Sequence, residues 1–560
     1  MPPADLALAT QQADPAGPPP LSRRLRGFLR RHRVPLLATL AVLPLYAVWW
    51  AFLATGGGDL AAQIAWAHFA ERHGDSAYNL FWYGGMHAAN YSVISPYVMA
   101  ALGVRTVTVA SGVAASWLAA LLVVRSGVRR PLPLALLASL TLWCNVASGR
   151  TTFALGVAFG LAAALYTGAA GRGGRPVLAG AYAALATMAS PVAGLFLAIV
   201  GAGFLLGGRR YARPALALIL PPAAVVGTTS LLFPFHGEQL MPASRIWPPA
   251  LLGVAVAVLA PRSWTPARWS GVVYAAGTVL VYLVPSPIGT NIERLAEYAA
   301  PVVLLAALFS HPSLRVRPLA PAAVLHRTAL AASFVFSLAW TGEKTVDDLV
   351  VSTPVPAWAA HTEGVVRALD GLGAGRTRVE VVPARNHREA TALAPYVHMA
   401  RGWNRQLDME RARLFYDGSF SPAAYRSWLD RWAVGFVVLA DGRPDGFAAQ
   451  EARLIRDPRT RPDWLEPVWR DEHWQVFRVR DAVPLVSAPG TVVRTDGAGV
   501  VLRVAGPGEV TVRIAWSPWL RSDGGCLSRA GEFTRLTVSA PGEYRISSEY
   551  GPSPARAARC

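Results

Sequence analysis

The stretch RRLRGFLRRHRVPLLATLAVLPLYAVWWAFLATGGGD (23–59) passes from charge to a long apolar run and then to glycine. Six arginines (Arg23, Arg24, Arg26, Arg30, Arg31, Arg33) precede the run 36–54, which is long enough to span a bilayer. No small-residue cleavage site followed by a soluble domain comes after it, so it reads as a first transmembrane helix rather than a secretory signal. The arginines on its near side place the N-terminal tail, 1–34, in the cytoplasm. The run leaves the membrane through a glycine triplet (56–58) and meets Asp59 at once.

The composition agrees. Of 560 residues, 53% are hydrophobic and 16% charged, against roughly 25% charged in ordinary soluble domains. The formal charge of +19 does not mark a nucleic-acid binder. Residues 1–342 carry 24 basic and 8 acidic residues, whereas 343–560 carry 29 and 26. The excess therefore lies between apolar runs, where it sets orientation, and not on a soluble basic face.

Ten more apolar runs follow: 106–124, 132–147, 151–169, 176–189, 190–207, 214–233, 247–260, 269–284, 295–310 and 328–342. With eleven crossings, the cytoplasmic loops hold 19 arginines. The outer loops hold five: Arg72, Arg105, Arg150, Arg245 and Arg294. Merging 176–207 across Ser190-Pro191 would turn Arg209, Arg210 and Arg213 outward, so this pair is read as a hairpin. The short segment 91–103 is expected as a helix in or dipping into the outer leaflet, within a large first external loop, 55–105.

The expected fold class is a mainly α polytopic membrane protein of about 11 helices with an extracytoplasmic C-terminal region. Residues 343–484 alternate helix and strand signals: 363–372 and 423–433 read as helices, 378–382 and 434–440 as strands. Residues 485–560 carry short β-branched runs between Gly and Pro turns, the pattern of a small β-sandwich. Of three cysteines, Cys144 reads as a buried small hydrophobe. Cys526 and Cys560 can pair outside the cell, closing a loop of about 35 residues worth roughly 3–4 kcal/mol. No metal-binding Cys/His spacing, phosphate loop, dinucleotide fingerprint or nucleophile elbow occurs.

Six acids lie between 35 and 342: Asp59, Glu71, Asp75, Glu238, Glu293 and Glu297. The topology puts five in outer loops and Glu297 just inside a span on the same side. Acids gathered on one face suggest a site open to the outside rather than a proton relay through the membrane. If 60–73 is helical, Asp59, Gln63, Trp66, Ala70 and His73 share a face. Asp at a helix start is also an ordinary cap, and Trp66, Phe81, Trp82 and Tyr83 also suit a membrane interface. His87 and Tyr91 lie beside the Gly84-Gly85 turn and read either as ligands or as local hydrogen-bond partners. Asn291, Glu293 and Arg294 stand at the mouth of a span, where an arginine fork suits phosphate. His236, Glu238 and Arg245 add polar groups on 234–246.

This layout resembles the GT-C superfamily of integral-membrane glycosyltransferases. The stretches WYGGMHAANYSVISP (82–96), GTNIERL (289–295), RGWNRQLDMERARLFYDG (401–418) and YRSWLDRWAVGFVVL (425–439) look like a group of actinobacterial polytopic proteins of this type, often labelled membrane protein or transporter. The resemblance implies a polyprenyl-phosphate-linked sugar as donor, a cell-envelope glycan or lipid as acceptor, and the plasma membrane as location. It implies Asp59 as catalytic base and Arg294 at the donor phosphate, with Trp403, Asn404 and Arg405 on the acceptor side. Many members carry two adjacent acids in the first loop. Here Asp59 stands alone until Glu71 and Asp75, so a divalent cation is left open. Two other classes fit the span count: a multi-pass transporter, against which stands the lack of a repeat or mid-span carboxylate, and a non-catalytic protein of the same fold.

Overall fold

The computed structural model describes residues 21–168, 173–310, 321–550 and 558–559. The start of the N-terminal tail, parts of the turns 170–175 and 311–327, and Cys560 lie outside these residues. The chain is mostly helical, with a β-rich C-terminal region.

Each of the eleven apolar runs is a helix. The first is Arg33–Val48, continued by a wider turn, Trp49–Leu53. Val104–Arg125, Pro131–Ala147, Thr151–Tyr166, Pro176–Ala189 and Pro191–Leu206 follow. Ala212–Leu232, Ala243–Leu259, Thr265–Leu283, Glu293–Ser310 and Pro321–Ser352 complete the set. Proline opens several of them, where its missing N–H costs nothing. The run 176–207 is broken in two because Ser190 is extended (φ −155°) ahead of Pro191. Arg33–Leu53, Val104–Arg125, Arg209–Leu232 and Pro321–Ser352 are long and apolar enough to cross a membrane. Large apolar side chains such as Leu40, Leu220, Val258 and Leu283 stay exposed, as on a lipid-facing surface. The last helix runs ten residues past 342, so the polar region begins as its extension.

The segment expected at the outer leaflet is the eight-residue helix Ser95–Leu102, ended by Gly103 at φ +84°. The loop before it is not a surface loop. Tyr78–Asn79 pairs antiparallel with Met86–His87. The turn between them needs Gly85 at φ +118°, where a Cβ would lie 2.2 Å from the Tyr78 ring. Trp82 bridges to Met399, and the Leu80 N–H donates to the Gly497 carbonyl at 2.8 Å. Trp66, Phe69, Phe81 and Trp82 share one core with Val379, Val381, Val438 and Trp474. The alternative of interfacial aromatics is therefore corrected, because the polar region folds over these rings and excludes water.

The polar region holds a five-stranded sheet in the order His398–Met399, Arg378–Val381, Val434–Ala440, Trp474–Val479, Leu465–Arg470. Its first three strands are parallel and the last two join antiparallel. Beyond it two four-stranded sheets face each other over Val500, Leu502, Val512, Leu536 and Ile546. Cys526 is disulfide-bonded and Cys144 is a free thiol.

One arginine ties the polar region to the helices. Arg388 donates to the Thr55 carbonyl, to Thr55 Oγ1 at 2.7 Å and to the Ser352 carbonyl at 2.7 Å. Thr55 Oγ1 itself donates to the Thr353 carbonyl at 2.7 Å. The ends of the first and last helices thus meet under one guanidinium. The glycine triplet allows it: a Cβ on Gly57 would lie 2.5 Å from the Ser352 carbonyl. Arg388→Ala leaves several partly buried carbonyls without their donor and is expected to cost about 1–2 kcal/mol. A lowered apparent melting temperature of the detergent-solubilised chain would show it, and Arg388→Lys should restore only part, since an ammonium lacks the planar fork.

Candidate functional site

Asp59 opens the helix Asp59–Arg72 directly after Gly58, whose φ of +63° turns the chain. The Gly58 N–H donates to the Asn386 carbonyl at 2.8 Å, and its carbonyl accepts from Trp403 Nε1 at 3.0 Å. The backbone ahead of Asp59 is therefore held from both sides by the polar region. Arg294, in the first turn of Glu293–Ser310, reaches Asp59: Nη2 donates to Oδ2 at 3.3 Å. The Arg294 guanidinium also lies over the Phe153 ring, 5.4 Å from its centroid. Asp59 keeps 35% of its side-chain exposure and Arg294 keeps 19%, so the pair is partly open.

A second group of charges adjoins it. Glu293 accepts from Arg245 at 2.7 Å and from Lys344. Lys344 also lies 3.5 Å from Glu297, which pairs with Arg150. Arg150 in turn donates to Asp348 at 3.3 Å. Four acids and four bases thus collect at one end of the helices. Three of these bases, Arg150, Arg245 and Arg294, are outer-loop exceptions to the charge bias. Arg150, Lys344 and Asp348 were not singled out from the sequence. The available signals were Arg150 as such an exception and Lys344 as the single lysine of the chain.

Gln63, one turn after Asp59, donates to the Tyr91 hydroxyl and accepts from Thr151 Oγ1 at 2.9 Å. Tyr91 stacks on Trp66 with centroids 5.4 Å apart. These residues wall the site. Asn291 donates to Gln239 Oε1 at 2.7 Å, and Gln406 donates to the same oxygen at 3.0 Å. Glu238 lies 3.6 Å from Arg413, and His236 is exposed and makes none of these contacts. Glu71, in the last turn of the helix, and Asp75, on the loop after it, are exposed and do not join the charged group.

The expected acceptor-side residues are engaged within the protein. Arg405 holds Asp445 with two bonds of 2.9 and 2.6 Å. The Asn404 N–H donates to the Tyr83 hydroxyl at 3.0 Å, and its side chain caps the helix Arg405–Arg411. Trp403 stacks on His387 with centroids 3.5 Å apart. Burial opposes charge on His387, yet the carboxylates of Asp445 at 3.6 Å and Glu389 at 3.5 Å raise its pKa. Burial would raise Asp445, but His387 and Arg405 hold it well below the carboxylate range. Among the described residues no three His, Cys, Asp or Glu side chains converge to hold a metal ion. The counter-charge to Asp59 is a guanidinium, so these residues do not fit a divalent cation.

No family model and no curated protein matches the chain. Solved structures do. The cryo-EM structure of the arabinofuranosyltransferase AftD from Mycobacteria matches at 16% identity and a TM-score of 0.39, over 85% of this chain and 41% of that one. The Archaeoglobus fulgidus oligosaccharyltransferase, tethered with an acceptor peptide containing the NVT sequon, matches at 10% identity and a TM-score of 0.41. That match covers 73% of this chain and 69% of the other. The chain thus spans well under half the length of the first of these.

His87 lies apart from Asp59, packed on Tyr78 (4.9 Å) and Phe233 (5.3 Å) with Ser517 Oγ at 3.4 Å. Burial pushes its pKa down from 6.5 to about 4, and that of His398 likewise to about 4. Both are neutral in the folded chain. Their contribution is complete above the unfolded value and is lost as pH falls from about 6.5 through about 4. Moving from pH 7.5 to 5.5 is expected to cost about 1 kcal/mol for each. Urea unfolding at the two pH values measures this loss, and His398→Gln should shrink it.

Proposed function

We propose that this chain is an integral-membrane glycosyltransferase of GT-C type. In this reading it moves a sugar from a polyprenyl-phosphate donor to a cell-envelope acceptor on the extracytoplasmic side. The observation that carries it is the Asp59–Arg294 contact at 3.3 Å. A carboxylate that can take a proton and a guanidinium that can hold a phosphate come together from positions 235 residues apart. Both keep some exposure, beside the polar region and away from the bilayer centre.

The chemistry follows from those two groups. An acceptor hydroxyl loses its proton to an Asp59 oxygen as its own oxygen bonds to the anomeric carbon of the donor. The bond from that carbon to the phosphate oxygen breaks, and its electron pair leaves with the phosphate. Arg294 neutralises the charge that grows there. Donor phosphate takes over the guanidinium that now faces Asp59, which frees the carboxylate to act as base. Gln63 and Tyr91 keep the helix of Asp59 against Thr151. Trp403 acts from the acceptor side by fixing the backbone at Gly58.

All eleven helices are read as spans, with the N-terminus cytoplasmic and residues 343–560 outside. Three features support this: the arginine bias of the loops, the four long apolar helices, and the disulfide at Cys526, since disulfides persist in oxidising compartments.

The test compares envelope glycans in a deletion strain, in that strain with the wild-type gene restored, and with Asp59→Asn at matched membrane levels. A glycan should vanish on deletion and return with wild type only, with Asp59→Asn slowed about 100-fold or more. Arg294→Gln should weaken use of the lipid-phosphate donor more than it changes acceptor dependence. Full restoration by Asp59→Asn would falsify the base assignment. An unchanged glycan profile on deletion would favour the transporter or the non-catalytic alternative. A cysteine placed at exposed Ser419 should react with a membrane-impermeant maleimide in intact cells.

A further inference from the structure

A cavity of about 570 Å³ lies between the helices Ala243–Leu259 and Pro321–Ser352. Ligand sites for small molecules run from about 300 to 1,000 Å³. Arg245, Glu293, Lys344 and Asp348 of the charged group line it, whereas Asp59, Arg294 and the acceptor-side residues Trp403, Asn404 and Arg405 do not. We infer that this cavity is a sugar-binding subsite that takes a hydroxyl-rich, non-anionic head group, the sugar of the acceptor.

Its apolar wall is aromatic. Trp247, Phe336 and Trp340 line it, with the Trp247 and Phe336 rings 5.3 Å apart. Trp247 is 53% exposed and offers a large flat aromatic face. Such a face is electron-rich, and the C–H face of a sugar ring is weakly positive, so the two stack.

Its polar wall is rich in carboxylates. Glu293 is 2% exposed, and one of its oxygens accepts from Arg245 and Lys344. Glu343 and Asp347 line the cavity and are exposed. Carboxylate oxygens only accept, so they suit sugar hydroxyls, which donate, whereas a phosphate would bring further acceptors.

Charge gives the same answer. The lining holds Glu293, Glu343, Asp347 and Asp348 against Arg245 and Lys344. Acids exceed bases by two, which disfavours an anion and leaves the phosphate to Arg294. The cavity also borders the candidate site. Asp348 accepts from Arg150 at 3.3 Å, Arg150 pairs with Glu297, and Glu297 lies one turn beyond Arg294. The inference depends on the transfer reading only in calling the sugar an acceptor; binding itself does not.

The experiment uses the full chain in nanodiscs and saturation-transfer NMR. The probes are p-nitrophenyl glycosides of neutral pentoses and hexoses, with p-nitrophenyl phosphate as a competitor that shares the aromatic group. Wild type should transfer saturation to the sugar-ring protons of at least one glycoside. Trp247→Ala and Trp340→Ala should each lower that signal about five-fold, and equal p-nitrophenyl phosphate should not displace it. Trp247 is exposed, so its variant keeps the fold even if the Trp340 variant does not. Transfer confined to the nitrophenyl ring, transfer that survives both substitutions, or displacement by the phosphate would each overturn the assignment. None of these results touches the Asp59 reading, which the glycan comparison tests separately.

Discussion

Arg388 lies where three parts of the chain must coincide. Its guanidinium binds the end of the first helix at Thr55, the end of the last at Ser352 and the start of the polar region that carries it. Helix ends leave carbonyls without partners, and here one planar fork from elsewhere in the chain satisfies several of them. The glycine triplet is the steric condition for that meeting. Once the two ends are joined, the chain has one direction in which to continue, and Asp59 is the first residue it presents. Trp403 and Asn386 then hold Gly58 from the polar side. The position of the candidate base is thus a consequence of how the helices are tied off.

The charges around it obey a different constraint. Buried ions are costly unless each finds a partner, and such pairs are weak evidence for stability alone. Here Glu293, Glu297, Arg150 and Lys344 sit in a chain of pairs, and each acid contacts at least one base. Two of the acids keep open sides, Asp59 and Asp348, while Glu293 and Glu297 are buried.

The loop after Asp59 shows the limit of reading residues one at a time. Trp66, Phe81 and Trp82 have the composition of an interfacial belt, yet they form the inner wall of the five-stranded sheet's core. His87 looks like a ligand beside a glycine turn, yet it is a neutral core residue. Arg405 and Trp403 look like recognition residues, yet they are occupied by Asp445, His387 and Gly58. In each case the side chain's chemistry is ambiguous, and the partner that resolves it is brought up only by the fold, 40 residues away for Arg405 and 345 for Trp403.

The positions of the eleven helices, the break at Ser190-Pro191 and the β texture after 484 were legible in the sequence. Each depends on local quantities: the length of an apolar run, the missing N–H of proline, the alternation of β-branched residues. The loop arginines were legible too, and their exceptions carried more than the bias did. Arg150, Arg245 and Arg294 lie against the rule, and all three converge on the charged group. Which acids they would meet was not legible. Asp59, Glu293, Glu297 and Asp348 join the group, while Glu71, Asp75 and Glu238 do not. Nothing in the surrounding residues separates the two sets, because an ion pair depends on where two helices end in space, and only the packing of the whole chain decides that.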